Sequence, residues 1–227
     1  MFLRLPQVLN AAQLSSVRNA LGSDQACWVD GRVTAGHQGA KVKRNQQLDQ
    51  SSALARELAD SLLGVIERNA TFVSAVLPNH VYPPMFNRYD EGMHFAMHVD
   101  GSIRVLGRGQ KLRTDLSVTV FLSPKDSYEG GELLVENDFG TERIKLDAGD
   151  MIIYSATARH QVTPVTNGVR LAAVFWVQSL VRGDYERQLL FELDQTIQHL
   201  TALETESESL VRLTAHYHGL LRLWSDT

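Results

Sequence analysis

A chain of 227 residues that is 44% hydrophobic and 21% charged can bury one sizeable domain with appended elements, which excludes global disorder. Its formal net charge of −4 argues against a general nucleic-acid or anionic-membrane binder, and its lone cysteine, Cys27, excludes an intramolecular disulfide and a Cys-rich zinc site. The start MFLRLPQVLN is interrupted by Arg4 and Pro6, unlike a signal peptide, and no run of about 18 apolar residues exists, so the expectation is a soluble cytoplasmic protein with neither membrane nor nucleic acid as partner.

In chain order, Asn10-Ala11-Ala12-Gln13 reads as a capping box opening a helix with Leu14, Val17 and Leu21 on its inner face. Asp30-Gly31, within Trp28 to Val33, is a hairpin-turn signal, and the polar stretch from Gly36 to Gln47 reads as a surface loop. Ser51 to Asn69 carries Leu54, Leu58, Leu62, Val65 and Ile66 at helical spacing. From Val73 the pattern changes to short apolar runs separated by turn residues. Tyr82-Pro83-Pro84 stops any helix and leads into a strand from Met85 to Tyr89, and Thr114 to Leu122 is β-branched and alternating. A turn at Tyr128-Glu129-Gly130-Gly131 precedes a strand ending at Val135. Further strands are expected at Arg143 to Leu146, Asp150 to Tyr154, Gln161 to Val165 and Val169 to Val177. After Gly183 the helical period returns, with Leu189, Leu190, Leu193, Ile197 and Leu200 marking one helix. A capping box at Thr205-Glu206-Ser207-Glu208 opens another, with Leu210, Leu213, Tyr217, Leu220, Leu221 and Trp224 on one face. The expected fold is mainly β with flanking helices, a jelly-roll core between N-terminal helices and a C-terminal helical hairpin. Its divisions are residues 1–78, a helical and hairpin segment packed on the core, 79–180, the β-core, and 181–227, the hairpin.

Within the β-core, His98 and Asp100 sit two apart on an extended chain, so an imidazole and a carboxylate share a face. Alone, such a pair is more often an ordinary surface turn. His160 changes this, because a jelly roll brings strands remote in sequence together, and two His with one carboxylate is the set that holds Fe(II) with positions left open. Arg170, in the otherwise apolar run Val169 to Val177, is a charge that needs a partner. It serves either as a salt bridge to an internal carboxylate or as a bidentate clamp on the far carboxylate of 2-oxoglutarate, with Thr119 or Ser117 supplying a hydroxyl beside it. His94 competes as a ligand. Extended, it shares a face with His98, and on a helix the two would form an i, i+4 zinc pair. Gly92 and the β-like surroundings disfavour the helix, so His94 reads as a pocket group. Tyr89, Trp176 and Arg104 complete the candidate substrate pocket, although Trp176, like Tyr217 and Trp224, reads first as a core aromatic. Gly101 to Arg113, with Arg104, Arg108, Lys111 and Arg113, is either a solvated loop or a lid over the metal pair.

Taken together, His98-x-Asp100, His160 and Arg170 resemble the Fe(II)/2-oxoglutarate-dependent dioxygenases. More closely, the chain resembles the bacterial PKHD-type hydroxylases, relatives of the prolyl and lysyl hydroxylases. The matching pieces are Arg113-Thr114-Asp115-Leu116-Ser117, Tyr128-Glu129-Gly130-Gly131-Glu132-Leu133, Ala148-Gly149-Asp150, His160-x-Val162-Thr163-Pro164-Val165-Thr166 and Phe175-Trp176-Val177-Gln178-Ser179. The likeness runs from about Tyr82 through Leu193 and more loosely to both ends. It implies a double-stranded β-helix using Fe(II), 2-oxoglutarate and O2, often with L-ascorbate, to hydroxylate a peptidyl or small-molecule substrate with release of succinate and CO2. It also implies that His98, Asp100 and His160 are the metal ligands at the catalytic centre and that Arg170, aided by Thr119, holds the cosubstrate.

One departure stands out: these relatives usually carry Tyr three residues before the first metal histidine, where this chain has Phe95. A nucleic-acid demethylase branch usually has a second Arg and an Asn around the Arg170 position, and that motif is absent here. The rival readings are a non-catalytic cupin-like metal-binding sensor and a zinc-dependent hydrolase using His94 and His98. The apolar face of the C-terminal helices is free to pack on the core or to form a homodimer.

Overall fold

The computed structural model describes residues 1–137, 139–203 and 208–226, the Arg108 side chain excepted. The capping box expected at Thr205-Glu206-Ser207-Glu208 falls outside the described residues. Two antiparallel sheets form the centre. The larger has eight strands, ordered Phe2–Leu5, Met151–Ser155, Leu116–Phe121, Arg170–Ser179, Met85–Tyr89, Gln46–Leu48 and Trp28–Asp30, with Pro78–Val81 also pairing with Arg170–Ser179. The smaller runs Gly140–Ile144, Leu133–Asn137, His160–Val162, His94–His98 and Lys43–Arg44. Strands distant in sequence are neighbours in both sheets, the arrangement expected of a jelly roll.

Period-two alternation decides what each face of the large sheet does. Leu116, Val118, Val120, Ala173, Phe175 and Val177 point to one side. There they pack against Val17 and Leu21 of helix Ala11–Leu21, Leu58, Leu62 and Ile66 of helix Ala53–Ile66, and Phe72 and Val76 of helix Ala70–Val76. Alternate residues, including Ser117, Thr119, Val174 and Trp176, face a cavity on the other side. Next to that cavity Tyr89, Phe121, Ile152 and Tyr154 of the large sheet meet Leu133, Val135, Ile144 and Val162 of the small one. The central strands are thus buried on both faces, so the few polar residues within them stand out.

Asn10 caps the first helix as its sequence predicts: Gln13 N donates to Asn10 Oδ1 and Asn10 N donates to Gln13 Oε1, each at 2.9 Å. Asp30-Gly31 is not a hairpin turn. Asp30 Oδ1 accepts from Arg32 N at 2.9 Å and opens a short 3-10 helix, Gly31–Thr34, and strand Trp28–Asp30 pairs instead with Gln46–Leu48. Nor is the stretch from Gly36 to Gln47 a surface loop. It contains helix Gly39–Val42 and strands in both sheets, and Lys43, Asn45 and Gln47 are buried. Polar composition is a poor guide there because Lys43 lines an interior cavity, Asn45 donates to the buried Asn87 and Gln47 pairs with that residue across the sheet. The helical reading also stopped too early, since Ala70–Val76 forms a further helix capped by Asn69. The C-terminal helices, Asp184–Leu203 and Glu208–Trp224, turn Tyr217, Leu220, Leu221 and Trp224 onto Leu77, Val181 and Leu190. Among the described residues no helix is long and apolar enough to cross a membrane.

Candidate functional site

His98, Asp100 and His160 each offer a donor atom, and these atoms lie within 4.8 Å of one another. His98 and His160 are direct cross-strand partners, with ring centroids 4.2 Å apart. Asp100, just beyond the strand, places Oδ2 3.7 Å from His160 Nε2 and accepts from Ser117 Oγ at 2.5 Å. Each imidazole is turned by the chain just before it. His98 Nδ1 lies 2.8 Å from Ala96 O, and His160 Nδ1 lies 3.0 Å from Ala158 O. A carbonyl only accepts, so each Nδ1 carries a proton and Nε2 is the nitrogen left to ligate a metal. Burial, followed by the neighbouring His160, pushes the His98 pKa down to about 4, so this ring is neutral at ordinary pH. For Asp100 burial works upward. The facing His160, the Ser117 hydroxyl and the indole of Trp176 outweigh it and hold the carboxyl below its ordinary value. The Trp176 N–H contributes from beyond hydrogen-bond range, since Nε1 has no partner. Two imidazoles and one carboxylate are a donor set suited to a divalent transition metal.

A β-bulge decides which residues of the neighbouring strand belong to this cluster. His160 is opposite His98, yet Val162 is opposite Phe95, so His94–His98 carries one extra residue between the pairs. The insertion inverts the alternation, and Phe95 and His98 come to the same face with their rings stacked, centroids 3.4 Å apart and planes within 13°. His94 is therefore turned away. It pairs with exposed Arg44, places Nδ1 3.2 Å from Gly92 O, and is not among the residues lining the cavity. This corrects the expectation that His94 is a pocket group sharing a face with His98. It also takes from the zinc-hydrolase reading the ligand that it needed.

Arg170 is only 2% exposed, and its guanidinium lies over the rings of Tyr89 and Phe121, at 5.2 and 5.4 Å. Among the described residues it forms no salt bridge, and Nε has no hydrogen-bond partner. The internal carboxylate that a purely structural role calls for is not there among the described residues. Tyr128 lies alongside with its hydroxyl also unpartnered, and burial raises its pKa and pushes that of Tyr89 up to about 12, so both stay neutral. Gly131 makes the space. Its φ is +61°, and a Cβ there would come within 3.0 Å of Arg170 Cδ.

The triad and Arg170 open into one cavity of about 330 Å³, within the range of small-molecule sites. Tyr89, Trp176 and Arg104 line it as expected, and so does Thr119. Neither of the hydroxyls expected beside Arg170 has it as a recorded partner. Ser117 turns to Asp100, and Thr119 sits by the Tyr154 hydroxyl with Val174 as its cross-strand partner. The Gly101 to Arg113 segment folds back as a two-stranded ribbon, Ile103–Val105 with Lys111–Arg113. The Arg104 guanidinium stacks 4.0 Å over Trp176, and Arg113 pairs with Asp115 at 2.7 Å. Sequence reasoning missed Tyr154, Lys43 and the turn Thr34–Gly39 as cavity walls. Alternation along Met151–Ser155 contained the signal for Tyr154. Nothing local marked the other two.

A profile of the 2OG-Fe(II) oxygenase superfamily matches residues 84–178, and one of the PKHD-type hydroxylase C-terminal domain matches residues 184–226. A PKHD-type hydroxylase of Burkholderia ambifaria is 56% identical over 227 residues, covering 100% of both chains. One from Xanthomonas campestris pv. campestris is 49% identical over 229 residues, again covering 100% of both. Among solved structures, the fold is similar to that of a Trichoplax adhaerens prolyl hydroxylase in complex with a peptide fragment of the hypoxia inducible factor oxygen degradation domain. That match has a TM-score of 0.57 and 15% identity, and it covers 83% of this chain and 86% of that one. A viral collagen prolyl hydroxylase from Paramecium Bursaria Chlorella virus-1, in its 2OG complex, gives a TM-score of 0.54 and 15% identity over 78% of this chain and 96% of that one.

Proposed function

The chain belongs to the PKHD-type hydroxylases of the 2OG-Fe(II) oxygenase superfamily, and from that premise we propose that it hydroxylates a C–H bond of its substrate while 2-oxoglutarate is converted to succinate and CO2. In this reading the two facing sheets are a double-stranded β-helix, residues 79–180 carry the chemistry, and residues 181–227 form a helical hairpin docked on it. His98 Nε2, His160 Nε2 and an Asp100 oxygen hold Fe(II), leaving the remaining positions for the 2-oxo acid and O2. The bound iron supplies the O2 activation and C–H cleavage that no side chain of this cavity can perform.

The observation that carries the proposal is the fully buried Arg170 with no counter-charge among the described residues, in the same cavity as the donor cluster. An isolated buried cation is costly. A dicarboxylate whose keto-acid end reaches the metal supplies the missing charge with its far end, and a guanidinium suits a carboxylate bidentately. The chain's other contributions are steric and electrostatic. Ser117 fixes the Asp100 carboxylate, Phe95 backs the His98 ring, and the apolar walls limit water.

Anaerobic addition of Fe(II) and 2-oxoglutarate should produce a visible metal-to-ligand charge-transfer band. Aerobic incubation with candidate substrates, with and without L-ascorbate, should release succinate. His98→Ala and Asp100→Ala should lose both signals. Wild-type succinate formation in either variant would remove the metal assignment.

A further inference from the structure

Lys43 and Arg104 are the two cationic groups of the cavity that the proposed reaction does not use. Lys43 is 5% exposed and Arg104 is half-buried. Both converge on Thr34, with Lys43 Nζ donating to its Oγ1 at 3.4 Å and Arg104 Nη1 to its carbonyl at 3.0 Å. Lys43 lies over the ring of Phe95, at 5.3 Å, and Phe95 in turn stacks on His98. Arg104 lies over Trp176, whose indole helps hold Asp100 ionised. The two cations therefore stand against Phe95 and Trp176, neighbours of His98 and Asp100, and meet at Thr34 on the cavity wall.

Neither forms a salt bridge among the described residues, and Arg104 Nε is buried without a partner. Burial first, and then the proximity of Arg104, lowers the Lys43 pKa to about 8. Charge accounting then points one way, resting on the reading above. The divalent metal and Arg170 together carry three positive charges, and Asp100 and the dicarboxylate together offset them. Asp100 attracts both Lys43 and Arg104, and with its charge committed to the metal these two partly or fully buried cations have no ion-pair partner of their own among the described residues.

We propose that the Lys43–Arg104 corner binds an oxyanion carried by the primary substrate, a carboxylate or a phosphate, and so presents a neighbouring C–H bond to the metal. The hydroxylated molecule is thus an anionic one, held at a second anion site separate from the cosubstrate clamp.

The test loads the protein with Mn(II), a redox-inert paramagnetic stand-in for iron, and saturating 2-oxoglutarate. It then follows by NMR the line broadening of two matched probe pairs: hippurate with hippuramide, and phenyl phosphate with phenol. The anionic member of at least one pair should be broadened at concentrations at least about tenfold below those needed by its neutral partner, the discrimination expected of one or two charge-assisted hydrogen bonds. Which pair responds identifies carboxylate or phosphate. Lys43→Met and Arg104→Met should each abolish that preference, and Lys43→Arg should keep it. Thermal melts and the anaerobic Fe(II)·2-oxoglutarate band serve as controls, and replacing a buried unpaired cation by Met is compatible with folding.

With that band intact in the wild type, three results each overturn the proposal: equal broadening of charged and neutral probes, broadening that disappears as 2-oxoglutarate is raised, or no broadening at all. Absence of the band in the wild type overturns the dioxygenase reading instead, and the anion site with it.

Discussion

Arg170→Met separates the two roles open to a buried guanidinium, because they predict opposite signs in the absence of ligand. The wild-type side chain is 2% exposed, has no salt bridge among the described residues, and leaves Nε unsatisfied. Its compensation in the free protein comes from the rings of Tyr89 and Phe121 at 5.2 and 5.4 Å. An unsatisfied buried donor costs about 1–3 kcal/mol, and cation–π contacts return about 0.5–2 kcal/mol. Methionine keeps the length and the apolar contacts, so the ligand-free variant should melt at the wild-type temperature or a few degrees above it, at about 2–4 °C per kcal/mol for a chain of this size. With 2-oxoglutarate the sign reverses. Removing one partner of a buried charge pair costs about 2–5 kcal/mol, or roughly 30-fold to a few thousandfold in Kd. Differential scanning fluorimetry with and without 2-oxoglutarate, in the presence of Mn(II), reads both quantities. The reasoning fails if the ligand-free variant loses about 3–5 kcal/mol while its 2-oxoglutarate affinity is unchanged, since that is the signature of a structural ion pair.

Ser117→Ala removes the hydroxyl 2.5 Å from Asp100 Oδ2 and should weaken Mn(II) or Fe(II) binding about 10- to 100-fold in a metal titration; an unchanged affinity would show that the carboxylate is held by other means. Gly131→Ala forces a side chain to φ +61° and within 3.0 Å of Arg170 Cδ, so it should cost about 1–2 kcal/mol in a denaturant melt and also raise the KM for 2-oxoglutarate. Unaltered stability and KM would count against the role given to this glycine. Lys43 should leave a trace in the pH dependence of stability. Burial and the nearby Arg104 lower its pKa from 10.5 to about 8, so the unfolded chain binds the proton more tightly. This group's contribution to stability should therefore rise between about pH 8 and 10.5, with its destabilising effect complete below that window. Lys43→Met should flatten that rise relative to wild type, and an identical slope in chemical denaturation would contradict the burial argument.

The β-core and the flanking helices were legible because their signals are local. Alternation in Leu116–Phe121, helical spacing in Ala53–Ile66 and the Asn10 capping box each record a constraint met within a few residues. The metal candidates were legible for a different reason: His160 completes a two-His, one-carboxylate set with His98 and Asp100, and Arg170 is a charge that stands at a cost in an otherwise apolar strand. What stayed hidden depends on pairings remote in sequence. The bulge between Phe95 and His98 is defined only against His160 and Val162, so the alternation rule pointed His94 into the cavity when it faces out. Likewise Lys43, Asn45 and Gln47 read as a solvated loop, because nothing in their neighbourhood reports that Phe95 and Asn87 will enclose them.

Both imidazoles of the donor cluster take their orientation from a carbonyl only two residues back along the chain, Ala96 for His98 and Ala158 for His160. A backbone atom cannot be mutated away, so the aim of these rings is insulated from changes in the side chains that line the rest of the chamber. Walls such as Thr34–Gly39 and Arg104 can then drift, and selectivity with them, while the donor cluster stays constant. A scaffold of this kind invites redeployment toward new molecules by altering its mouth alone.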